Sequence, residues 1–515
     1  MGSRKLFQSV ALVLLGSTLL LTGCGGAGNS ATKESVQANK TALKTLTIGL
    51  KADPPSLDPM SSTSLYDRYV QNSVYDKLFD LDENGKIIPM LATSYDVSPD
   101  GRMYTLKIKE GVTFQDGTKF DAEAVKFNLD RYREEGSKRK GELKFVTDVK
   151  VVNPTTVQIM LQKPFSPLIS IFTDRSGMMV SPEAVKKSGK DFLNNPVGSG
   201  PYKFVEHVKG DHVTLKKNEK YWNGEVKLDT INYKVFTNQT AAVQNLRSGM
   251  LDIVDELPVK EIPGLEKDEK FAVVAKANMG YQGLHLNVTK EPFTNKYLRQ
   301  AVDRAIDREA VVKVLFDGYG LPARTPFSPG SLAHGESDTV KKPDDREIKA
   351  LLEKGGKPEG FSFTLQIATS PANEQFGAVL QNMLKKYNID MKLEKVEYGT
   401  LLENGDNGNF QALQLGWSGR LDPDQNIYDF HVTEAPNNKS RLSNPEVDQL
   451  LSDARSELDE QKRKALYDKA IAILQDEAPY IYIYHNYDKF GLSKKVKGFT
   501  YVPDGIIRTA KLDKE

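Results

Sequence analysis

Three side chains that suit the binding of a small molecule lie close together in one stretch, at Trp417, Ser418 and Arg420. They supply an aromatic plane, a hydroxyl and a guanidinium that stays charged throughout the physiological pH range. A stacking surface with a few convergent polar groups is typical of a ligand pocket. Gly416 and Asp422-Pro423 interrupt regular structure, so the group is expected on a loop that follows a strand. The alternative is a core tryptophan followed by an ordinary surface turn.

The residues that commonly carry out hydrolysis lack the spacing that hydrolysis needs. No zinc-binding pattern connects the histidines, which are His207, His212, His285, His334, His431 and His485. No Gly-x-Ser-x-Gly sequence is present, and no pair among the 69 acidic residues stands out as a glycosidase couple. We therefore predict no catalytic residues, no metal and no cofactor. The alternative is a surface enzyme, which would turn over its substrate rather than retain it.

The charge balance argues against nucleic acid as a partner. The 515 residues include 70 Lys plus Arg and 69 Asp plus Glu, for a formal net charge of +1. Binding to a phosphate backbone needs a clear positive surplus or a basic stripe. The chain is also too long for one hydrophobic core, so two or three domains are predicted.

The N-terminus has the features of a secretory signal. Two basic residues precede Leu6–Leu21, an apolar stretch too short to span a membrane comfortably. The following Leu21-Thr22-Gly23-Cys24 resembles a bacterial lipobox, which implies cleavage before Cys24 and a diacylglycerol on the sulfur of this only cysteine. We predict a signal peptide over 1–23 and a flexible tether over 24–43. The folded body would be held by its lipid at a membrane surface outside the cytoplasm.

Apolar periodicity predicts an α/β protein. Leu46–Leu50 is typical of a first strand, and residues 80–190 alternate short strands and helices as a compact α+β unit. Leu298–Phe316 is predicted to be one long amphipathic helix. Its basic residues are expected on a solvated face with no chemical role, and they are Arg299, Arg304, Arg308 and Lys313.

Nine short motifs follow one another from residue 46 towards the C-terminus. They are Ser56-Leu57-Asp58-Pro59, Tyr75-Asp76-Lys77-Leu78, Pro89-Met90-Leu91-Ala92, Tyr104-Thr105-Leu106, Val112-Thr113-Phe114-Gln115-Asp116-Gly117-Thr118, Ala122-Glu123-Ala124-Val125, Val197-Gly198-Ser199-Gly200-Pro201-Tyr202, Leu298-Arg299-Gln300-Ala301-Val302 and the Gly416-Trp417 loop. Their order resembles that of the family 5 extracellular solute-binding proteins, the peptide, dipeptide and nickel receptors of bacterial ABC importers.

The resemblance implies a periplasmic-binding-protein-like type II fold, with two lobes around a ligand cleft and an extra α+β domain inserted in the first lobe. The expected boundaries are 44–79, 191–276 and 488–515 for lobe I, 80–190 for the inserted domain, and 277–487 for lobe II. Closure of the lobes over a ligand would be a hinge motion, driven by a higher affinity of the closed form.

The resemblance also implies where a ligand would lie. In peptide-binding members it extends between the segment after the Leu-Asp-Pro motif and the Gly-Trp loop, and it bonds to both through its main chain. The corresponding residues here are Thr63, Ser64, Leu65, Gly416, Trp417 and Ser418. Such strand addition gives affinity through backbone hydrogen bonds without reading side chains.

This sequence departs from the family pattern at one position. Peptide-binding members place an aspartate three residues after that tryptophan, where it pairs with the ammonium of the ligand, whereas this chain has Arg420. An arginine repels an ammonium and suits a carboxylate. We therefore expect Arg420 to bind an anionic group beside Trp417. Two alternatives are that Asp422 takes the ammonium role in the shortened loop, or that Arg420 forms a structural pair with Asp422 or Asp424.

The function implied is that of an extracytoplasmic substrate-binding lipoprotein, at the cell surface or in the periplasm. It would bind short peptides or peptide-like solutes and deliver them to the permease and ATPase subunits of an ABC importer, acting as a monomer. Other cargoes within the family are an acidic non-peptide solute such as an opine, a glutathione-like peptide and chelated nickel. A signalling or chaperone-like role is a separate class, and it would show as binding to unfolded chains.

Overall fold

The computed structural model describes residues 43–515, and the predicted signal peptide and lipidation site lie outside that range. Its strands, in chain order, are β1 (Thr45–Leu50), β2 (Phe79–Leu81), β3 (Ile87–Pro89), β4 (Ala92–Val97), β5 (Met103–Ile108), β6 (Val146–Asn153), β7 (Thr156–Leu161), β8 (Tyr202–Val208), β9 (His212–Lys217), β10 (Thr230–Val235), β11 (Ile253–Val254), β12 (Phe271–Leu286), β13 (Leu321–Pro322), β14 (Phe361–Ala368), β15 (Ile389–Val396), β16 (Ala412–Gln414), β17 (Tyr480–Ser493), β18 (Val496–Lys497) and β19 (Asp513–Lys514).

Helices alternate with these strands along most of the chain. They are α1 (Leu65–Val74), α2 (Ala122–Arg133), α3 (Leu168–Ile171), α4 (Pro182–Ser188), α5 (Gln239–Ser248), α6 (Ile262–Glu266), α7 (Lys296–Ala305), α8 (Arg308–Phe316), α9 (Asp345–Lys354), α10 (Pro371–Lys385), α11 (Tyr398–Asn407), α12 (Asp424–His431), α13 (Pro445–Ser456) and α14 (Glu460–Glu477). Between residues 43 and 515, no helix combines the length and the apolar character that crossing a membrane requires.

One large sheet runs through both halves of the molecule. Its strand order is β15-β14-β16-β12-β17-β11-β1-β10-β9-β8, and β13 also pairs with β17. The two long strands β12 and β17 lie antiparallel and connect the halves, since β16 pairs with the end of β12 and β11 with the end of β17. Their register shifts between Ala277 and Tyr281, so the ladder is interrupted where the chain passes from one half to the other.

A separate four-stranded sheet, in the order β4-β5-β7-β6, belongs to the segment predicted as an inserted unit. Its hydrophobic core draws every buried residue from positions 78–179, including Tyr104, Phe120, Tyr132 and Phe172. The hairpin β6–β7 turns at Pro154 and Thr155. Other apolar clusters lie on β1 and its neighbours, and on β14, β15 and the helices that cover them.

The prediction of one helix over Leu298–Phe316 is wrong. Two helices, α7 and α8, occupy the segment, because Ile306 adopts an extended backbone with φ −88° and ψ 111°. Asp307 then begins the second helix by accepting a hydrogen bond from the backbone N–H of Ala310 at 3.0 Å. An N-cap aspartate of this kind satisfies one of the free N–H groups at a helix start. The unbroken apolar periodicity concealed this boundary.

The basic residues of this segment do not all lie on a solvated face, contrary to the prediction. Arg299 and Arg308 are each 3% exposed. Arg299 donates to a carboxylate oxygen of Glu477 at 2.8 Å, and Arg308 pairs with Asp303. Buried charges of this kind need a partner, because burial removes their hydration. These arginines therefore fix the packing of α7 and α8 against the end of α14 and β17.

Candidate ligand cleft

A cavity of about 290 Å³ lies where residues 78–179, α1, the loop after β16 and the β12–β17 pair meet. Of the residues predicted to bind ligand, Thr63, Ser64, Leu65, Ser418 and Arg420 line it. Seven charged side chains also line it, and they are Arg68, Glu142, Asp174, Arg175, Arg420, Asp488 and Asp504. A cavity of this size is at the lower end of the range for small-molecule sites, so it suits a compact and polar ligand.

The segment at residues 63–65 is held in place by one buried carboxylate, that of Asp67. Asp67 accepts hydrogen bonds from the backbone N–H groups of Ser56, Thr63 and Ser64 at 3.0–3.3 Å. The Ser64 hydroxyl accepts from the N–H of Tyr66, and Ser64 and Asp67 together form a capping box at the start of α1. The N–H groups of Thr63 and Ser64 are therefore already used within the protein.

The loop Gly416–Arg420 rests directly on the interrupted part of β12. Trp417 exchanges two backbone hydrogen bonds of 2.9 Å with Tyr281. A Cβ atom at Gly416 would lie 2.3 Å from the Tyr281 carbonyl oxygen, and one at Gly419 would lie 2.1 Å from the Met279 backbone. Gly419 also has φ +75°, a conformation that favours glycine. Because neither glycine has a side chain, the loop lies close to β12, and this contact positions Trp417 and Arg420 relative to the strand.

Trp417 is half-buried and serves as a support behind the cavity. Its indole N–H donates to Asn426 at 3.2 Å, and its ring packs edge-on against Phe430 at 5.2 Å between centroids. The Arg420 guanidinium lies over the indole at 4.7 Å from the ring centroid. This cation–π contact stabilises one orientation of the arginine at the cavity wall.

Arg420 lines the cavity without a carboxylate partner. Its guanidinium donates to the Ser418 hydroxyl at 3.0 Å and to the Gly419 carbonyl at 2.6 Å. Among residues 43–515, no carboxylate oxygen lies within 4.0 Å of it. Burial lowers the pKa of Arg420, while the negative charges of Asp174 and Glu142 act in the opposite direction. The guanidinium is a partly dehydrated cation with donors left for an anion.

Three further residues of the cavity were not predicted from any sequence pattern: Arg68, Asp174 and Arg175. Arg68 donates to Asp174 at 3.0 Å, and Arg175 donates to the Ser62 carbonyl at 3.2 Å. Burial would raise the pKa of Asp174, but Arg68 and Arg175 outweigh it and hold that pKa well below its ordinary value. Burial lowers the pKa of Arg175 to about 10, so this residue still carries its charge at neutral pH.

Comparison with known proteins decides the class of this site. Residues 86–439 match the family described as bacterial extracellular solute-binding proteins, family 5 Middle. The glutathione-binding protein GsiB of Salmonella paratyphi A is 32% identical over 481 residues, which cover 90% of this chain and 93% of that protein. This chain belongs to the family 5 extracellular solute-binding proteins.

Solved structures agree with this assignment. The periplasmic binding protein DppA of Helicobacter pylori, in complex with the peptide STSA, is 27% identical with a TM-score of 0.75, covering 92% of this chain and 98% of its own. HbpA2 of Haemophilus parasuis shares the fold with a TM-score of 0.84 at 23% identity, covering 92% and 100%. The predicted type II fold with two lobes around a cleft is confirmed. The chain is an extracytoplasmic solute-binding protein of the ABC importer type.

Asp422 does not line the cleft of this family 5 protein. Its carboxylate accepts two hydrogen bonds from the Arg463 guanidinium, at 2.8 and 2.5 Å, and both side chains are buried. Asp424 is paired in the same way with Arg455, at 2.8 Å for each bond. In the structure Arg420 pairs with neither aspartate, and Asp422 is bound to Arg463 rather than lining the cleft with Arg420.

A second cavity, of about 730 Å³, adjoins the cleft of the solute-binding protein and shares Ser170 and Leu421 with it. It lies between residues 78–179 and the helices after the Trp417 loop, with Tyr95, Tyr104 and Leu332 in its walls. Within residues 43–515, no group of three or more His, Cys, Asp or Glu side chains is placed to hold a metal ion.

Proposed function

We propose that this receptor binds a short peptide or peptide-like solute that carries at least one carboxylate, and that Arg420 receives that carboxylate. The observation that supports the proposal most directly is the guanidinium of Arg420, partly buried, facing the cavity and lacking a carboxylate partner among the described residues. A carboxylate bound there would form charge-assisted hydrogen bonds, which are about twice as strong as neutral ones. Arg68 and Arg175 add positive charge to the same cavity.

Glutathione is the cargo class that fits these features well. It is a tripeptide with two carboxylates and one ammonium, and a curated relative at 32% identity is named as a glutathione-binding protein. A cavity of about 290 Å³ accommodates a compact ligand of this kind, and the adjoining second cavity leaves room for a substituent. We therefore place a glutathione-like peptide ahead of an opine or chelated nickel as the cargo of this protein.

Some backbone groups of the Trp417 loop form no hydrogen bond within the described residues, and these indicate where the main chain of the cargo would bind. Trp417 uses its N–H and C=O on Tyr281, and the hydrogen-bonding groups of an extended segment alternate in direction. The backbone N–H and C=O groups of Gly416 and Ser418 therefore point to the opposite side of the loop. We propose that the main chain of the ligand pairs with these two residues, opposite the segment Thr63–Leu65. This arrangement is strand addition, in which specificity comes from the side chains around the strand.

The test of the proposal is the Arg420→Ala substitution. We expect it to weaken binding of glutathione by about 10- to 100-fold, the value of one to two charge-assisted hydrogen bonds. Titration calorimetry with glutathione and with its glycyl ethyl ester measures the effect. Arg346→Ala, at a side chain that is 96% exposed, is the matched control for a lost positive charge. Equal affinity of wild type and Arg420→Ala for glutathione would remove Arg420 from the site.

We further propose that the protein is anchored by a lipid on Cys24, acts as a monomer and releases its cargo unchanged. The lipobox-like sequence before Cys24 supports the anchor. Replacing Cys24 with alanine is expected to move the protein from the membrane fraction to the soluble extracytoplasmic fraction. Recovery of intact glutathione after prolonged incubation, followed by mass spectrometry, distinguishes a receptor from an enzyme. Light scattering of the purified receptor measures its oligomeric state.

A further inference from the structure

We propose that Asp488 is the ammonium subsite of the cleft, so that the receptor selects a zwitterionic ligand whose amine binds Asp488 while a carboxylate binds Arg420. This inference rests on the proposed function, because it assigns the second charged group of the same cargo. Asp488 lies in β17 and Arg420 in the loop after β16, yet both residues line one cavity.

Asp488 is held firmly but not by a cation. Its carboxylate accepts a hydrogen bond from the Asn278 amide at 2.8 Å and one from the Tyr501 hydroxyl at 3.0 Å. Within the described residues, no Lys or Arg nitrogen lies within 4.0 Å of it. The adjacent Lys489 donates instead to the Tyr487 carbonyl at 2.8 Å. The two neutral donors leave acceptor sites on the carboxylate that a ligand can use.

The other carboxylates of the cavity already have partners. Asp174 pairs with Arg68 at 3.0 Å, and Glu142 with Arg139 at 2.5 Å. Asp504 accepts from Arg508 at 2.8 Å. Among the described acids that line the cavity, Asp488 is thus the one without a cationic partner, just as Arg420 lacks an anionic one. The protein presents one unpaired charge of each sign to the same small volume.

The surroundings of Asp488 favour an incoming cation. Burial raises the pKa of Asp488 to about 6, while its hydrogen bonds act in the opposite direction, so the carboxylate charge is disfavoured without an opposite charge beside it. The nearby Asp504 adds to the negative potential, and Lys489 reduces it. A bound ammonium would restore the missing opposite charge. Gly505 lies so close that a Cβ there would be 2.6 Å from a carboxylate oxygen, so a side chain at that position would crowd the subsite.

The experiment compares glutathione with N-acetylglutathione, which lacks the ammonium and keeps both carboxylates. We expect the wild-type receptor to bind glutathione about 10- to 100-fold more tightly than the acetylated form. In Asp488→Asn the ratio of the two dissociation constants should fall to about 3 or less. Asp429→Asn, which removes a half-exposed carboxylate outside the cavity, is the matched control and should keep the wild-type ratio.

Each outcome has a distinct meaning. A wild-type receptor that binds both ligands equally, or an Asp488→Asn variant that keeps the full preference, overturns the ammonium subsite and leaves the proposed cargo intact. No binding of either ligand by the wild type overturns the proposed cargo class and this subsite with it. The ratio separates recognition from folding, because a merely structural defect weakens both ligands alike. The neutral amide keeps the shape of the carboxyl group, and thermal denaturation of the variant checks that it folds.

Discussion

Replacing Asp422 with alanine should lower the free energy of unfolding by about 3–5 kcal/mol. The substitution leaves the Arg463 guanidinium buried without the carboxylate that accepts its two hydrogen bonds at 2.8 and 2.5 Å. An unpaired buried charge is costly, whereas the intact pair is not itself a large source of stability. Urea denaturation followed by circular dichroism measures the change. The midpoint should fall with little change in the slope, if the denatured state is unaffected.

Asp429→Ala is the matched control for this prediction. Asp429 lies in α12, the helix that begins two residues after Asp422, but its side chain is 38% exposed and its oxygen is 3.8 Å from Arg455. Its removal should change the free energy of unfolding by no more than about 0.5 kcal/mol. Equal stability of the Asp422 and Asp429 variants would contradict the structural role of the Asp422–Arg463 pair. The affinity of the folded Asp422 variant for glutathione tests separately whether Asp422 has a ligand role.

Acid should destabilise this protein through histidines that are buried in the neutral form. Burial lowers the pKa of His285 and of His431 to about 3, and that of His485 to about 4. In the unfolded chain each histidine binds a proton near pH 6.5, so the unfolded state holds more protons as the pH falls. The stability conferred by neutral burial is present above pH 6.5 and is lost between pH 6.5 and about pH 3, by about 1.4 kcal/mol per pH unit for each histidine.

His285→Leu isolates one contribution to this loss. His285 packs edge-on against Tyr480 at 4.6 Å between ring centroids, and its Nδ1 has no hydrogen-bond partner among the described residues. Leucine should therefore be tolerated at neutral pH. Between pH 6 and pH 4, the plot of unfolding free energy against pH should become shallower by about 1.4 kcal/mol per unit. Parallel plots for variant and wild type would show that His285 takes up its proton in the folded state.

Much of the secondary structure and one wall of the cleft could be predicted from the sequence, because both depend on local patterns. Asp121 begins α2 by accepting hydrogen bonds from two backbone N–H groups, and Gly249 ends α5 with φ +80°. Both features follow from residue type alone. The Trp417 loop is predicted in the same way, because Gly416 and Gly419 interrupt the strand pattern next to an aromatic ring and a cation.

The rest of the site could not be predicted, because it depends on contacts between distant parts of the chain. Arg68, Asp174 and Asp488 lie on different elements, and only the tertiary fold brings them to one cavity. Asp422 is 41 residues from Arg463, so its pairing with that arginine could not be predicted from the loop sequence. Nothing in the local pattern separates a surface aspartate from one that is buried with an arginine.

The interruption of the β12–β17 ladder has a mechanical consequence for transport. Asn278 and Met279 on one strand, and Asn486 and Asp488 on the other, form the floor of the cleft at the same place. If the lobes close by a hinge motion at this interruption, cargo bound on this floor would contact the joint itself. Binding would then be detected at the joint, without a relay through either lobe. Substitutions at this joint are expected to change both the affinity for cargo and the angle between the lobes. They would therefore also change the conformation that the permease encounters.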